Sequence, residues 1–327
     1  MIKLKSTLLM MVLLSSGLVF GQSYDDVLAK FNEGADDINK GEYATAISHL
    51  QEVLAMAAIV GNQADDLVSE SKKQIPLLNY QVAIGYMKQK DYPNAIPYLE
   101  KTVDLATAYE NNEEYKTKAM KYLPQLLVGV GLQKLRDENV DEALDNFEQA
   151  IKYAPNYAKA YLGKGLVHKL NYEEEDMLED LTKAIELAKA QNDQKTVSDA
   201  QEALGSYFVE LGNMEMEDLD EIDPDFTYAV EAYEKAVTYQ PSNADAHYKL
   251  AVIANRMEDY DKAVKHATAA LKSESNEIMI AAINYELGSA YYDKTEFDLA
   301  CEAFKKAMVD QFEERASRKM EKIPGCE

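Results

Sequence analysis

One pattern constrains this chain more than any other: small residues recur in pairs at a fixed separation. Gly34, Gly131, Gly165 and Gly288 are each followed twelve residues later by a second small or apolar residue, namely Ala46, Ala143, Met177 and Ala300. Two further units use Ala83 with Ala95 and Ala251 with Ala263. Seven residues beyond each pair stands another core position, Val53, Thr102, Ala150, Ala184, Ala270 or Ala307. A larger apolar residue falls between in most units (Leu50, Leu99, Phe147, Leu181, Phe304), with Ala267 the small exception. Glycine inside a helix costs about 1 kcal/mol against alanine, so a cost that recurs marks a packing need that recurs. The spacing fits two antiparallel helices, A and B, whose backbones approach closely at small facing residues while the larger residue fills space toward the next unit. Turn sequences fall between the two helices: Lys40-Gly41-Glu42-Tyr43, Lys90-Asp91-Tyr92, Glu258-Asp259-Tyr260 and Thr295-Glu296-Phe297. The aromatic ending each turn is expected to plug the helix junction. Pro155 and Pro241 stop the second helix of their units.

The unit Asn284-Tyr285-Glu286-Leu287-Gly288-Ser289-Ala290-Tyr291-Tyr292, followed by Phe297, Ala300, Phe304 and Ala307, resembles a tetratricopeptide repeat. Seven such units cover most of the chain, near 27–60, 76–109, 124–157, 158–191, 198–243, 244–277 and 281–314. The fold class that the resemblance implies is all-α, a TPR-like solenoid of about seven helix-turn-helix units over 22–322 with a tail at 323–327. The departures matter. Spacing between equivalent small residues runs 49, 48, 34, 40, 46 and 37 against a family repeat of about 34, so the pitch is expected to be irregular. The extra residues at 61–75 and 110–123 are helical in composition and predict lengthened helices. The fifth unit is read on Leu204, Gly205, Phe208, Ala229, Tyr233 and Ala236, with an acidic insertion at 213–225 between its helices. Glu33 and Asp37 occupy positions that are usually apolar, which predicts a solvated first helix. Val309–Lys322 reads as a capping helix with a basic outer face.

Residues 1–21 have the form of a secretory signal peptide: Lys3 and Lys5, then an apolar run from Ser6 to Phe20, with the mature chain expected to start near Gln22. No later segment reads as a membrane span. The net charge of −24 becomes −26 without Lys3 and Lys5. So acidic a chain argues against nucleic acid or anionic lipid as partner and favours basic partners or plain solubility. Trp is absent, and Gly (14) and Pro (8) are scarce, which leaves room for helix but no signal for strand.

No catalytic pattern emerges, and the chain is read as no enzyme, with no cofactor and no metal. His49, His168, His247 and His266 are scattered, none at metal-ligand spacing from another His or Cys. The acidic insertion lacks the glycine of a calcium loop and reads as a solvated loop. Cys301 and Cys326 are the two cysteines. In an oxidising compartment they would pair and staple the tail; a free thiol at Cys301 is the alternative.

The resemblance also points to a partner site, since A helices line the binding face in this family. The positions are Phe31, Tyr80, Ile84, Met87, Val128, Leu132, Leu162, Leu166, Tyr248, Val252, Tyr285 and Tyr292. Being apolar or aromatic, they suit an amphipathic or extended apolar segment rather than a C-terminal carboxylate. The same residues could equally be core, because periodicity does not separate the two. The expected function is a protein–protein interaction scaffold of the cell envelope, periplasmic or peripheral to the outer membrane, in an assembly, secretion or surface-attachment machine. A glycan- or peptidoglycan-binding module, using tyrosine faces for stacking, is the alternative.

Overall fold

A computed structural model describes residues 23–217 and 224–326. The expected signal peptide lies outside the described residues. Among those described, all regular structure is helical. The chain divides into two compact units, the first ending at Val130 and the second beginning at Gly131.

The first unit holds α1 (Tyr24–Lys40), α2 (Tyr43–Val60), α3 (Asp65–Lys88), α4 (Tyr92–Ala108) and most of α5 (Glu113–Arg136). The pairs α1 with α2 and α3 with α4 are antiparallel hairpins, and α2 also packs on α3. Ser23 begins α1 with a reciprocal capping box to Asp26. Both α3 and α5 run for 24 residues, so the added sequence at 61–75 and 110–123 lengthens A helices. Lengthening carries α3 through Pro76, which removes the hydrogen bond normally made to the Lys72 carbonyl. Asn111, in the α4–α5 turn, donates its side-chain amide to that carbonyl at 3.2 Å. Asn111→Ala leaves the Lys72 carbonyl without this partner and should cost roughly 1–2 kcal/mol, read as a lower urea midpoint with unchanged slope.

Helix α2 corrects one sequence expectation. Its 18 residues have a mean hydropathy of 1.3, long and apolar enough to cross a membrane by length and composition. Here its apolar face is used otherwise: Ala46, Ile47 and Leu50 pack with Ile75 and Leu78 of α3. The first helix is not simply solvated either. Asp37 is buried, 3.0 Å from His49 Nδ1 on α2.

The second unit continues with α6 (Val140–Tyr153), α7 (Ala158–Leu170), α8 (Glu174–Ala190), α9 (Gln194–Glu217) and α10 (Thr227–Tyr239). It ends with α11 (Ala244–Arg256), α12 (Tyr260–Ala270), α13 (Glu277–Asp293), α14 (Phe297–Lys306) and α15 (Glu313–Met320). Hairpins form from α7 with α8, α9 with α10, α11 with α12 and α13 with α14, and each packs on the next through its neighbouring helices.

The small residues work differently from the spacing argument. The larger side chain sixteen residues after the glycine, not the small one after twelve, lies directly against it. A Cβ on Gly288 would stand 2.8 Å from the Phe304 ring, and one on Gly165 would stand 2.7 Å from Leu181. Phe147 is clasped from two sides, by Gly131 of its own hairpin and by Gly163 of the next. In the fifth hairpin the glycine under the B-helix aromatic is Gly212, where a Cβ would stand 2.7 Å from the Tyr233 ring, whereas Gly205 faces Gln240 and Asn243. The cause lies in the insertion: Asn213–Glu217 extend α9 rather than forming loop, and Asn213 accepts a hydrogen bond from the Tyr233 hydroxyl at 2.8 Å. Residues 218–223 of the insertion lie outside the described residues.

Between A and B helices the chain passes through the left-handed region at one equivalent position. Gly41 holds it in the first hairpin, and Lys90, Glu138, Tyr172, Glu258 and Thr295 hold it elsewhere with φ between 58° and 63°. The turn aromatics that follow do not all plug the junction. All four are first residues of their helices; Tyr92 and Phe297 are exposed, and Tyr43 and Tyr260 are half-buried.

Candidate functional site

The twelve A-helix positions split by environment. Tyr80 and Val128 are buried, which removes them from any binding face. Tyr80 instead packs against Tyr115, ring centres 5.5 Å apart and tilted at 51°. Phe31 lines a cavity of about 180 Å³ with Ile38 and Gln74. Ile84 lines a larger one of about 620 Å³ between the α1–α2 turn and α3. Met87, Leu132 and Val252 are half-buried. Leu162 and Leu166 pack on the core around Leu181, Leu204 and Phe208, and Tyr248 packs on Ile283 and Leu287.

Tyr285 and Tyr292 are covered by the chain's own C-terminus. Phe312 lies 6.1 Å from the Tyr285 ring, Arg315 stands over it at 4.7 Å, and Lys319 stands over Tyr292 at 5.3 Å. Ala316, Met320 and Ile323 complete an apolar cluster with Phe304 and Ala307. Cys301 and Cys326 are joined in a disulfide that ties the segment to α14. The basic residues of α15 thus partly face inward, onto tyrosine rings, where cation–π attraction holds them.

A further cavity lies elsewhere. A cleft of about 680 Å³ opens beside α10, α11 and α12. Phe226, Val230, Leu250, Ile253 and Met257 give it an apolar floor, and its walls carry Asp225, Glu231, Glu234 and Asp259 alongside Arg256 and Lys262. Met257 is 59 % exposed although its neighbour Ile253 is 1 % exposed, so apolar surface reaches from core to solvent here. Asp259 is paired with Lys262 at 2.9 Å and Glu231 with Lys235 at 3.5 Å, and Glu231 and Glu234 project from one face of α10. No A-helix argument pointed to this cleft, because its floor is shared between a B helix and the A helix of the next hairpin.

The histidines are less scattered than their sequence positions suggest. His247 and His266, 19 residues apart, meet across the α11–α12 hairpin with their Nδ1 atoms 3.0 Å apart. His247 donates from Nε2 to the Pro241 carbonyl at 3.1 Å, which fixes its tautomer. Burial lowers the pKa of both, that of His266 to about 4 with His247 a further cause. His266 borders the cleft. A signal existed in the repeat register: His247 lies four residues before Ala251, and His266 lies fifteen after it.

His168 is buried and paired with Glu173, and its other ring nitrogen faces the buried Asp180 at 3.5 Å. Burial raises the pKa of Asp180, and Lys164, 3.3 Å away, opposes that shift. His168, Glu173 and Asp176 bring ligand atoms within 4.8 Å of one another, but Glu173 and Asp176 are exposed and the ring nitrogen is already held. The pair at His168 and Asp180 occupies the same two register positions as Asp37 and His49, with the residue types exchanged. Such cross-hairpin pairs read as helix-to-helix ties.

Residues 131–195 and 254–313 match the tetratricopeptide repeat model, and residues 225–257 match a second TPR repeat model. The matched segments are tetratricopeptide repeats, a class that typically mediates protein–protein contact without chemistry of its own. Among known proteins, the Hsp70-Hsp90 organising protein of Plasmodium falciparum is 32 % identical over 97 residues, which is 28 % of this chain. The chain spans only 17 % of that relative's length. Similar solved structures include MamA, at 23 % identity and a TM-score of 0.35 over 61 % of this chain and 96 % of that one. A tetratricopeptide repeat protein from Parabacteroides merdae is 12 % identical, with a TM-score of 0.29 over 90 % of this chain and 98 % of its own.

Proposed function

We propose that this protein is a non-enzymatic scaffold of the cell envelope, periplasmic or peripheral to the outer membrane, that holds partner proteins within an assembly, secretion or attachment machine. The observation that carries the binding reading is the cleft beside α10–α12. Its apolar floor and the adjacent carboxylates of Glu231 and Glu234 suit an amphipathic segment bearing one apolar anchor beside a Lys or Arg. The apolar contact supplies affinity, and these carboxylates, within a chain of net charge −24, supply orientation and approach rate. The run from Ser6 to Phe20 supports the envelope location.

A photoreactive amino acid in place of Met257 tests both parts in intact cells. The expected result is a protein adduct, recovered with the envelope fraction, that falls at least tenfold when Glu231 and Glu234 are both changed to Lys. An adduct unaffected by the charge reversal, or none at all, would overturn the cleft as the binding site. An adduct recovered only from cytoplasm would overturn the location.

A further inference from the structure

We propose that His247 and His266 form a transition-metal site of the imidazole-nitrogen kind that Cu(II) binds more tightly than the other divalent first-row ions. Two imidazoles cis on one ion at about 2.0–2.1 Å have nitrogens about 2.9 Å apart at a right angle and about 3.3 Å apart at the tetrahedral angle. The observed 3.0 Å is the length of the Nδ1–H···Nδ1 hydrogen bond that joins the rings, and both arrangements lie within about 0.3 Å of it. Square or tetragonal coordination by nitrogen and oxygen marks Cu(II) and Ni(II), and Cu(II) binds the more tightly.

The surroundings are those of a held ligand. The Nε2–H of His247 donates to the Pro241 carbonyl, which leaves Nδ1 with its lone pair directed at His266. That outer hydrogen bond, from a ligand imidazole to a backbone carbonyl, orients the ring and would survive metal binding unchanged. His266 needs only to carry its proton on Nε2 instead of Nδ1, so no proton is gained or lost overall. Each ring stands on a helix of one hairpin, which keeps the nitrogens together on rigid elements. His266 borders the open cleft, giving an ion an entry path and room for the water molecules that complete its coordination.

Donor type, not charge, narrows the choice of metal. Lys265 and Lys272 act on His247, and Lys262 and Lys265 act on His266. Nitrogen donors disfavour hard ions such as Ca²⁺ and Mg²⁺, which want clustered oxygens, whereas the lysine charges oppose every divalent ion alike, so the two imidazole bonds must supply the affinity. The site does not rest on the protein-binding reading, although His266 lines the same cleft.

The test is titration of the mature chain with Cu²⁺, followed by paramagnetic broadening of the imidazole NMR signals and by electron paramagnetic resonance. The expected result is early broadening of His247 and His266 together, with a two-nitrogen hyperfine pattern. His247→Gln and His266→Gln should each weaken this site at least tenfold, while His49→Gln and His168→Gln leave it unchanged. Broadening confined to the free N-terminus or to carboxylates, with His247 and His266 untouched, would overturn the proposal. So would a single-histidine variant that keeps the affinity. Should a variant lose helical circular dichroism, broadening in the wild-type chain decides.

Discussion

Gly163→Ala is expected to lower the stability of the second unit by roughly 3 kcal/mol, even though alanine is the better helix former by about 1 kcal/mol. A Cβ there would stand 2.3 Å from Cε1 of Phe147 and 2.5 Å from two further ring atoms. The ring cannot retreat, because Phe147 is fully buried and Gly131 bounds its other side, where a Cβ would already stand 2.7 Å away. Urea unfolding monitored by circular dichroism measures the loss, and Phe147→Leu in the same background should recover part of it. Gly34→Ala is the control. Its Cβ meets Leu50 at 3.2 Å, the side-chain end of a leucine that can give a few tenths of an ångström, so the change should be close to neutral. Equal stability of wild type and Gly163→Ala would mean that Phe147 does not sit between the two glycines.

Removing the disulfide should have the next largest effect, and a local one. The bond joins residues 25 apart in sequence, and a loop of that size is held closed at an entropic saving of about 3 kcal/mol in the unfolded chain. The segment it ties down is short: α15 is an eight-residue helix, too short to persist without packing. In Cys301→Ser, amide exchange over Glu313–Ile323 should quicken by two orders of magnitude or so, while exchange in α7–α12 stays unchanged. Tyr285, Tyr292 and Phe304 would lose the cover that Phe312, Arg315, Met320 and Lys319 supply, and binding of a hydrophobic dye should rise with them. Slow exchange retained over α15 in the variant would show that packing alone holds the segment.

Much of the fold was legible because helix periodicity is a short-range property. A glycine at one position and a large apolar residue sixteen later is a pattern that the 3.6-residue turn and a three-residue connection produce by themselves. Hence Gly131 with Phe147, Gly165 with Leu181 and Gly288 with Phe304 mark hairpins in the bare sequence. Even there, the close partner of Gly288 was read as Ala300, because spacing gives the face of a helix but not the length of a side chain reaching across it. The fifth hairpin was misregistered for a related reason. Its insertion is acidic, acidic stretches read as loop, and only the continuation of α9 through Glu217 brings Gly212 under Tyr233.

The binding face was the least legible part. Tyr285 and Tyr292, seven residues apart on one helix, look the same in sequence whether water or α15 lies over them. The sequence by itself determined the helical class, the hairpin repeat and the acidic character, since these follow from local propensity, periodicity and charge. Only the tertiary structure decided which apolar positions are covered, that Cys301 reaches Cys326, that two histidines from opposite helices share one site, and that the open cleft lies beside α10–α12. Each of these depends on how residues distant in the chain meet, and the free energy that selects those meetings is the burial of surface between whole helices, which no local pattern records.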